Sequence, residues 1–99
     1  MEKPVEIFAY PILVKFKRGM NIRTEPTLAG TKVGSVVSKV WIKAYIWYIK
    51  SNFEFWIGLC PAPCRKWVCW NNGKETFVED IIMPDPDSDL SSYRAQVLC

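Results

Sequence analysis

The feature that most constrains the fold is the alternation of side chains between Val40 and Lys50. This stretch, VWIKAYIWYIK, changes face at every residue, and a period of two is typical of a β-strand. One face carries Val40, Ile42, Ala44, Ile46 and Tyr48, and the other carries Trp41, Lys43, Tyr45, Trp47 and Ile49. Only one of these faces can line the core of a small barrel, so the other faces solvent, a second small core or a partner.

Shorter β-rich stretches, separated by turn residues, surround this strand. They are EIFAYPILVKF, in which Pro11 indicates an edge or a bend, and KFKRGMNIR, TKVGSVV, FEFWIGL, RKWVCW and ETFVEDI. Ser51–Asn52 and the stretch NNGK, with Gly73 where a positive φ is needed, are predicted hairpin turns. Five or six short strands of this kind predict an all-β fold, a small antiparallel β-barrel with an elongated central hairpin.

The chain is predicted to divide into the barrel, residues 1–82, and a tail, residues 83–99. The tail begins with the acidic, turn-rich linker MPDPDSD. It continues as SDLSSYRAQVLC, a possible short helix capped by Ser88 or Asp89, with Leu90, Tyr93 and Val97 on one stripe. Because so short a helix is not stable alone in water, we expect the tail to pack on the barrel or on a partner.

The absence of histidine limits the chemistry most. No histidine occurs among the 99 residues, which excludes Ser-His-Asp and Cys-His nucleophiles and every histidine-ligated metal site. No Asp/Glu pair lies in a context that indicates a shared catalytic cleft. We therefore expect a protein that is not an enzyme and needs no cofactor.

Charge and hydropathy indicate the compartment and the class of partner. The apolar N-terminal stretch is not a secretory signal, because basic residues follow rather than precede it and two prolines break it. The stretch from Val40 to Leu59 is interrupted by charges and is not predicted to span a membrane. The expected location is the cytoplasm, or a virion if the chain comes from a phage. The net charge of +3 is mild, and the scattered lysines and acidic tail make nucleic acid an unlikely partner.

Two groups of motifs resemble those of bacterial SH3-like domains. Gly19–Pro26, GMNIRTEP, followed by VGSVV, resembles the family's Asn-Val-Arg strand, Gly-Pro loop and next strand. Lys66–Val68 and the stretch NGKETFV resemble its closing hairpin. Glu25 departs from the usual glycine before proline, and the centre of the chain is longer than usual. The resemblance implies structural roles for Asn21, Ile22, Pro26, Gly34, Trp67, Gly73 and Phe77.

The candidate binding residues are one arginine and a set of aromatic residues. Asn21 and Arg23 share one face of their strand and Ile22 takes the core face, so Arg23 either braces the scaffold or contacts a ligand. Exposed Trp and Tyr side chains anchor interfaces, although the same residues could form a second small core. The candidates for partner binding are Arg23, Trp41, Tyr45, Trp47, Trp56 and Trp70.

The four cysteines do not follow a standard zinc spacing. Cys60, Cys64 and Cys69 are close in sequence, and a four-thiolate site would need Cys99 to fold back onto them. We expect reduced cysteines, some of them packed as small hydrophobic side chains.

The sequence leaves several functions open. The resemblance implies a non-catalytic binding module for a peptide or a cell-wall peptidoglycan ligand. The alternatives are a phage virion component of capsid, neck or tail that assembles through the barrel, and an intracellular interaction or inhibitor protein. Expected partners are thus a protein or cell-wall peptide, or further copies within a larger complex.

Overall fold

A computed structural model describes residues 6–50, 53–83, 87 and 93–99, with side chains from Pro11 onward. These residues form seven strands and no α-helix. The strands are β1 (Glu6–Phe16), β2 (Met20–Arg23), β3 (Lys32–Val36), β4 (Trp41–Ile49), β5 (Phe55–Gly58), β6 (Trp67–Asn71) and β7 (Val78–Ile82). The predicted all-β class is confirmed.

The seven strands belong to one sheet in the order β3-β2-β6-β5-β4-β1-β7, and neighbouring strands are antiparallel. The sheet therefore has more strands than the five to six expected. Its two edges are β3 and β7, and their failure to pair means that the sheet does not close into a barrel. The elongated central hairpin is present as β4 and β5, with Ile46–Ile49 paired to Phe55–Gly58.

The strand after the Gly73 turn differs from its predicted pairing. The ETFVEDI stretch contacts β6 through one bridge, Asn71 with Thr76, and through a hydrogen bond from Phe77 N to Trp70 O of 2.7 Å. From Val78 onward it pairs instead with β1, Val78 lying opposite Phe16. The curl of the sheet thus brings β6 and β7 together at their turn, while their far ends separate.

Pro11 coincides with an irregularity rather than an edge. β1 lies inside the sheet between β4 and β7, and its register with β4 shifts between Ile7 and Ile12. Because proline cannot donate a backbone hydrogen bond, it is tolerated inside a sheet only where the ladder is interrupted. Of the two alternatives predicted for Pro11, an edge or a bend, the bend is therefore the correct one.

The core receives the predicted face of β4. Ile42, Ala44 and Ile46 are fully buried, whereas Tyr48 is half-buried. They belong to one core cluster with the fully buried side chains of Trp56, Phe16, Ile57 and Leu59. Burial of each such side chain stabilises the fold by about 1.5–3 kcal/mol, so this face is the main source of stability.

The two predicted hairpin turns have different outcomes. Gly73 has φ 90°, and the side-chain oxygen of Asn72 accepts hydrogen bonds from the backbone N–H groups of Lys74 and Glu75 at 2.9 and 2.8 Å. The asparagine therefore holds the turn that glycine makes possible. Ser51 and Asn52 lie outside the described residues, and the nearest described contact is the hydrogen bond that Lys50 N donates to Glu54 O at 2.9 Å.

The last described residues reach the sheet at Gln96. Gln96 forms a parallel bridge with Ile42, so the predicted helix is wrong for this part of the tail. Leu98, rather than Val97, packs against the core, since Val97 is 52% exposed. Ser88–Ser92, the first half of the predicted helix with Leu90, lies outside the described residues.

Candidate ligand-binding groove

A groove of about 190 Å³ opens between β2 and the turn that joins β6 to β7. Nine residues from five parts of the chain line it: Arg18, Met20, Asn21, Arg23, Leu28, Trp56, Cys69, Asn72 and Phe77. The groove exists because Arg23 of β2 pairs with Trp67 of β6, which places the β6–β7 turn beside the start of β2.

The floor of the groove is apolar and fixed. Trp56, Cys69 and Phe77 are each at most 5% exposed. The indole Nε1 of Trp56 donates to Glu54 Oε1 at 2.9 Å, which fixes the ring plane. Burial raises the pKa of Cys69 to about 11, so its thiol is protonated at neutral pH and acts as a small apolar side chain.

Two arginines stand at the rim. Arg23 is half-buried, and its Nη1 donates to the carbonyl of Gly30 at 3.0 Å. The guanidinium of Arg18 lies 4.7 Å from the centre of the Phe77 ring, a cation–π contact at an exposed position. Each guanidinium has five N–H donors, so both keep donors for a ligand.

The charged residues that line the groove are all positive. Arg18 and Arg23 are its charged residues, and none of the nine is acidic. Among the described residues, the ion pairs join Lys39 to Glu79 and Lys50 to Glu54, which leaves both arginines outside them. The groove therefore combines an apolar floor with a cationic rim that suits a carboxylate.

Arg23 has the scaffold role considered for it, and its contact with a ligand stays a prediction. Asn21 is exposed and Ile22 is 6% exposed, which confirms the predicted facing of the strand. The side chain of Arg23 braces the β2–β3 loop through Gly30 and also lines the groove.

The predicted aromatic residues lie in three different places. Trp47, Phe55 and Trp70 form one half-buried cluster across β4, β5 and β6, with the rings of Trp47 and Trp70 4.4 Å apart at 73°, and Trp70 also packs against the core. Trp41 lies apart from this cluster, against Tyr93 and under the Lys15 ammonium. Tyr45 is half-buried against the core, and Trp56 is inside it, where it reaches only the groove floor.

Of the seven residues with expected structural roles, Ile22, Trp67 and Phe77 are buried, whereas Asn21, Gly34 and Gly73 are exposed. Trp67 is 5% exposed and donates from Nε1 to Cys64 O at 2.9 Å. Gly34 pairs with Ile22 in the β2–β3 ladder, and Pro26 is half-buried in the loop that follows β2. Phe77, expected to be structural only, also lines the groove.

The cysteines separate into two locations. The Cys60 thiol lies next to the thiols of Cys99 and Cys64, whereas Cys69 is in the groove floor. In the part of the chain that the structure describes, no three His, Cys, Asp or Glu side chains are arranged to hold a metal ion.

Sequence reasoning missed most of the groove. Arg18, Met20, Leu28, Cys69 and Asn72 line it but were not candidates. The one available signal was the basic turn KFKRG directly before the Asn-x-Arg strand, which places a second arginine near Arg23. The lining residues from β6 and from the β6–β7 turn reach the groove only because β2 pairs with β6. Local sequence patterns do not reveal this pairing between distant strands.

Comparisons with protein-family models, with curated proteins and with solved structures give no match to this chain. The resemblance to bacterial SH3-like domains therefore stays a prediction. Among the described residues, no helix is long and apolar enough to cross a membrane.

Proposed function

We propose that the protein is a non-catalytic binding module that holds a carboxylate-bearing peptide in the groove between Arg18 and Arg23. The observation that carries this proposal is the pairing of two arginines with a preformed apolar floor of Trp56, Cys69 and Phe77. The guanidinium forks match a carboxylate, and the floor accepts an adjacent aliphatic or aromatic side chain.

The size of the groove supports a small ligand group. Pockets that enclose a drug-sized ligand measure about 300–1,000 Å³, and this groove has about 190 Å³. It therefore suits one residue of a peptide, with the rest of the ligand lying across the surface. The resemblance to SH3-like domains favours cell-wall peptides, which are short and carry free carboxylates.

The test is co-sedimentation of the purified protein with insoluble peptidoglycan. We expect the protein to pellet, and the variant Arg18→Gln/Arg23→Lys to remain largely in the supernatant. Arg65→Gln is the matched control, because Arg65 is exposed and does not line the groove. Equal pelleting of all three proteins would contradict binding in this groove, and no pelleting of the wild type would contradict the cell-wall ligand.

A second candidate function is assembly through the edge strand β3. In the described part of the chain β3 pairs with β2 only, and its first four residues, Lys32–Ser35, are exposed. Val33 and Val37 are 52% and 54% exposed at this edge. Open edges of this kind pair readily with another chain, as a virion building block would require. Analytical ultracentrifugation tests it: concentration-dependent association that Val33→Lys abolishes would support assembly, and a monomer throughout would contradict it.

A further inference from the structure

The segment Ala95–Cys99 is attached to β4 through an isolated parallel bridge between Gln96 and Ile42. Gln96 N donates to Trp41 O at 2.8 Å, and Lys43 N donates to Gln96 O at 3.0 Å. This edge of β4 is available because β5 pairs only with Ile46–Ile49. The ring of Tyr93 packs edge-on against Trp41 with centroids 5.7 Å apart, so the chain entering the segment is also held.

The end of this segment is fixed against the loop between β5 and β6. Lys66 Nζ donates to the carbonyl of Leu98 at 2.6 Å, and the side chain of Leu98 packs against the core. Leu59 N donates to Lys66 O at 2.8 Å and closes the base of the loop. These contacts bring residue 99 beside residues 60–66.

Two thiols meet at this point. The half-buried Cys60 thiol lies next to the thiol of the exposed Cys99. The nearby Cys64 is engaged differently, since its Sγ donates to Lys66 O at 3.3 Å. All of these cysteines are reduced in the structure. Burial raises the pKa of Cys60 to about 12, with a further contribution from Cys99, so Cys60 is protonated at neutral pH.

We propose that Cys60 and Cys99 form an intramolecular disulfide that clamps the segment Ala95–Cys99 onto β4 when the protein meets a low-molecular-weight disulfide. The exposed Cys99 attacks one sulfur of the small disulfide, and its proton passes to the small thiolate that leaves. Cys60 then displaces the second small thiolate from Cys99 and gives its proton to that thiolate as it leaves, and the protein disulfide forms. Two protein thiols are oxidised, and one small disulfide is reduced to two thiols.

The clamp is independent of the groove and of its ligand. It would join a loop at one end of β5 to a segment held by two backbone hydrogen bonds and one lysine. A cross-link between positions 60 and 99 restricts the unfolded chain, and this stabilises the folded state. The reduced protein would release the segment more readily and expose the β4 edge together with the core surface under Leu98.

The experiment treats the purified full chain with oxidised glutathione, alkylates the remaining thiols and maps the peptides by mass spectrometry. We expect a Cys60–Cys99 cross-link with the loss of two hydrogens, and a urea midpoint that moves to higher concentration. Cys99→Ser should lose both effects, whereas the matched control Cys64→Ser should keep both.

Three results would overturn the proposal. They are glutathione adducts without a cross-link, a cross-link between Cys60 and Cys64 in place of Cys99, or a Cys60–Cys99 cross-link that leaves the urea midpoint unchanged. Hydrogen exchange gives a second readout, because the amides of Lys43 and Gln96 should exchange more slowly after oxidation. Equal exchange rates in both states would also contradict the clamp.

Discussion

Arg23 and Gly30 lie seven positions apart in the sequence and are joined by a hydrogen bond from the guanidinium Nη1 to the carbonyl, 3.0 Å long. Next to it, Thr24 N donates to Thr31 O at 2.9 Å, so the β2–β3 loop is closed by two parallel links. The bond fixes the direction of the Arg23 side chain at the groove rim. A binding guanidinium that is held in advance loses less conformational entropy when a ligand arrives.

The first prediction concerns this arginine. Arg23→Lys keeps the charge but loses the planar fork, so affinity for a carboxylate peptide should fall about tenfold, equivalent to about 1.4 kcal/mol. Isothermal titration with a peptide and with its amidated form measures the effect. The amidated peptide should bind weakly to both proteins. An unchanged affinity in Arg23→Lys, or equal affinity for the two peptides, would contradict carboxylate recognition.

The second prediction concerns glycine at the end of β5. A Cβ at Gly58 would lie 2.9 Å from Cys64 Sγ and 3.2 Å from both Ile46 Cβ and Trp67 Cζ3. Gly58→Ala should therefore lower the free energy of unfolding by about 1–3 kcal/mol, the usual cost of overpacking. Gly34→Ala is the control, since its Cβ would meet only Ile22 Cδ1, at an ordinary 3.6 Å. Urea denaturation compares the two, and equal stability of both variants would refute the packing argument.

The third prediction concerns the aromatic cluster of Trp47, Phe55 and Trp70. These rings contact one another at 4.4–6.3 Å and are half-buried, as a second small core would be. Trp47→Ala should lower the free energy of unfolding by about 2 kcal/mol, below the 3–5 kcal/mol of a fully buried tryptophan. Affinity for the groove ligand should not change. A stable variant with lost binding would instead identify the cluster as the recognition surface.

The sequence was most informative about features that depend on the residues of a single strand or turn. Alternation along β4 predicted that Ile42, Ala44 and Ile46, which are buried, share one face, and the demand for a positive φ predicted Gly73. These features depend on neighbours only a few residues away. Pairing between strands that are distant in the sequence is not a local property. The ETFVEDI pattern therefore could not predict that Val78 pairs with β1 rather than with β6.

The groove and the tail were hidden for the same reason. Trp56 looked like a surface aromatic because tryptophan also anchors interfaces, and only the pairing of β5 with β6 buries it. The helical stripe of the tail failed because Gln96 finds unpaired backbone groups on β4, which supply hydrogen bonds that a short helix would have to form alone.

The fourth prediction concerns pH. The Lys39 ammonium hydrogen-bonds the Glu79 carboxylate across 40 positions and holds the pKa of Glu79 below its ordinary value of 4.5. A lowered folded-state pKa stabilises the protein fully above the unfolded pKa, and this contribution disappears as the pH falls through the folded value. In Glu79→Gln, the urea midpoint should therefore decrease less than in the wild type as the pH falls below 4.5.

Because both side chains are at the surface, the effect at neutral pH should be small and should weaken with added salt. Asp80→Asn is a suitable control, since Asp80 is an exposed neighbour outside the ion pair. If Asp80→Asn reduced the loss of stability at acid pH as much as Glu79→Gln, the ion pair would not be the cause of that loss.

The most direct test of the central claim is a two-dimensional NMR titration of the isotopically labelled protein with soluble peptidoglycan fragments that carry free carboxylates. The account predicts saturable shifts at the backbone amides of Met20, Asn21, Arg23 and Asn72 and at the indole N–H of Trp56. Those shifts should disappear in Arg18→Gln/Arg23→Lys. Shifts confined to Trp47, Phe55 and Trp70, or to the β3 edge, would contradict the groove as the binding site.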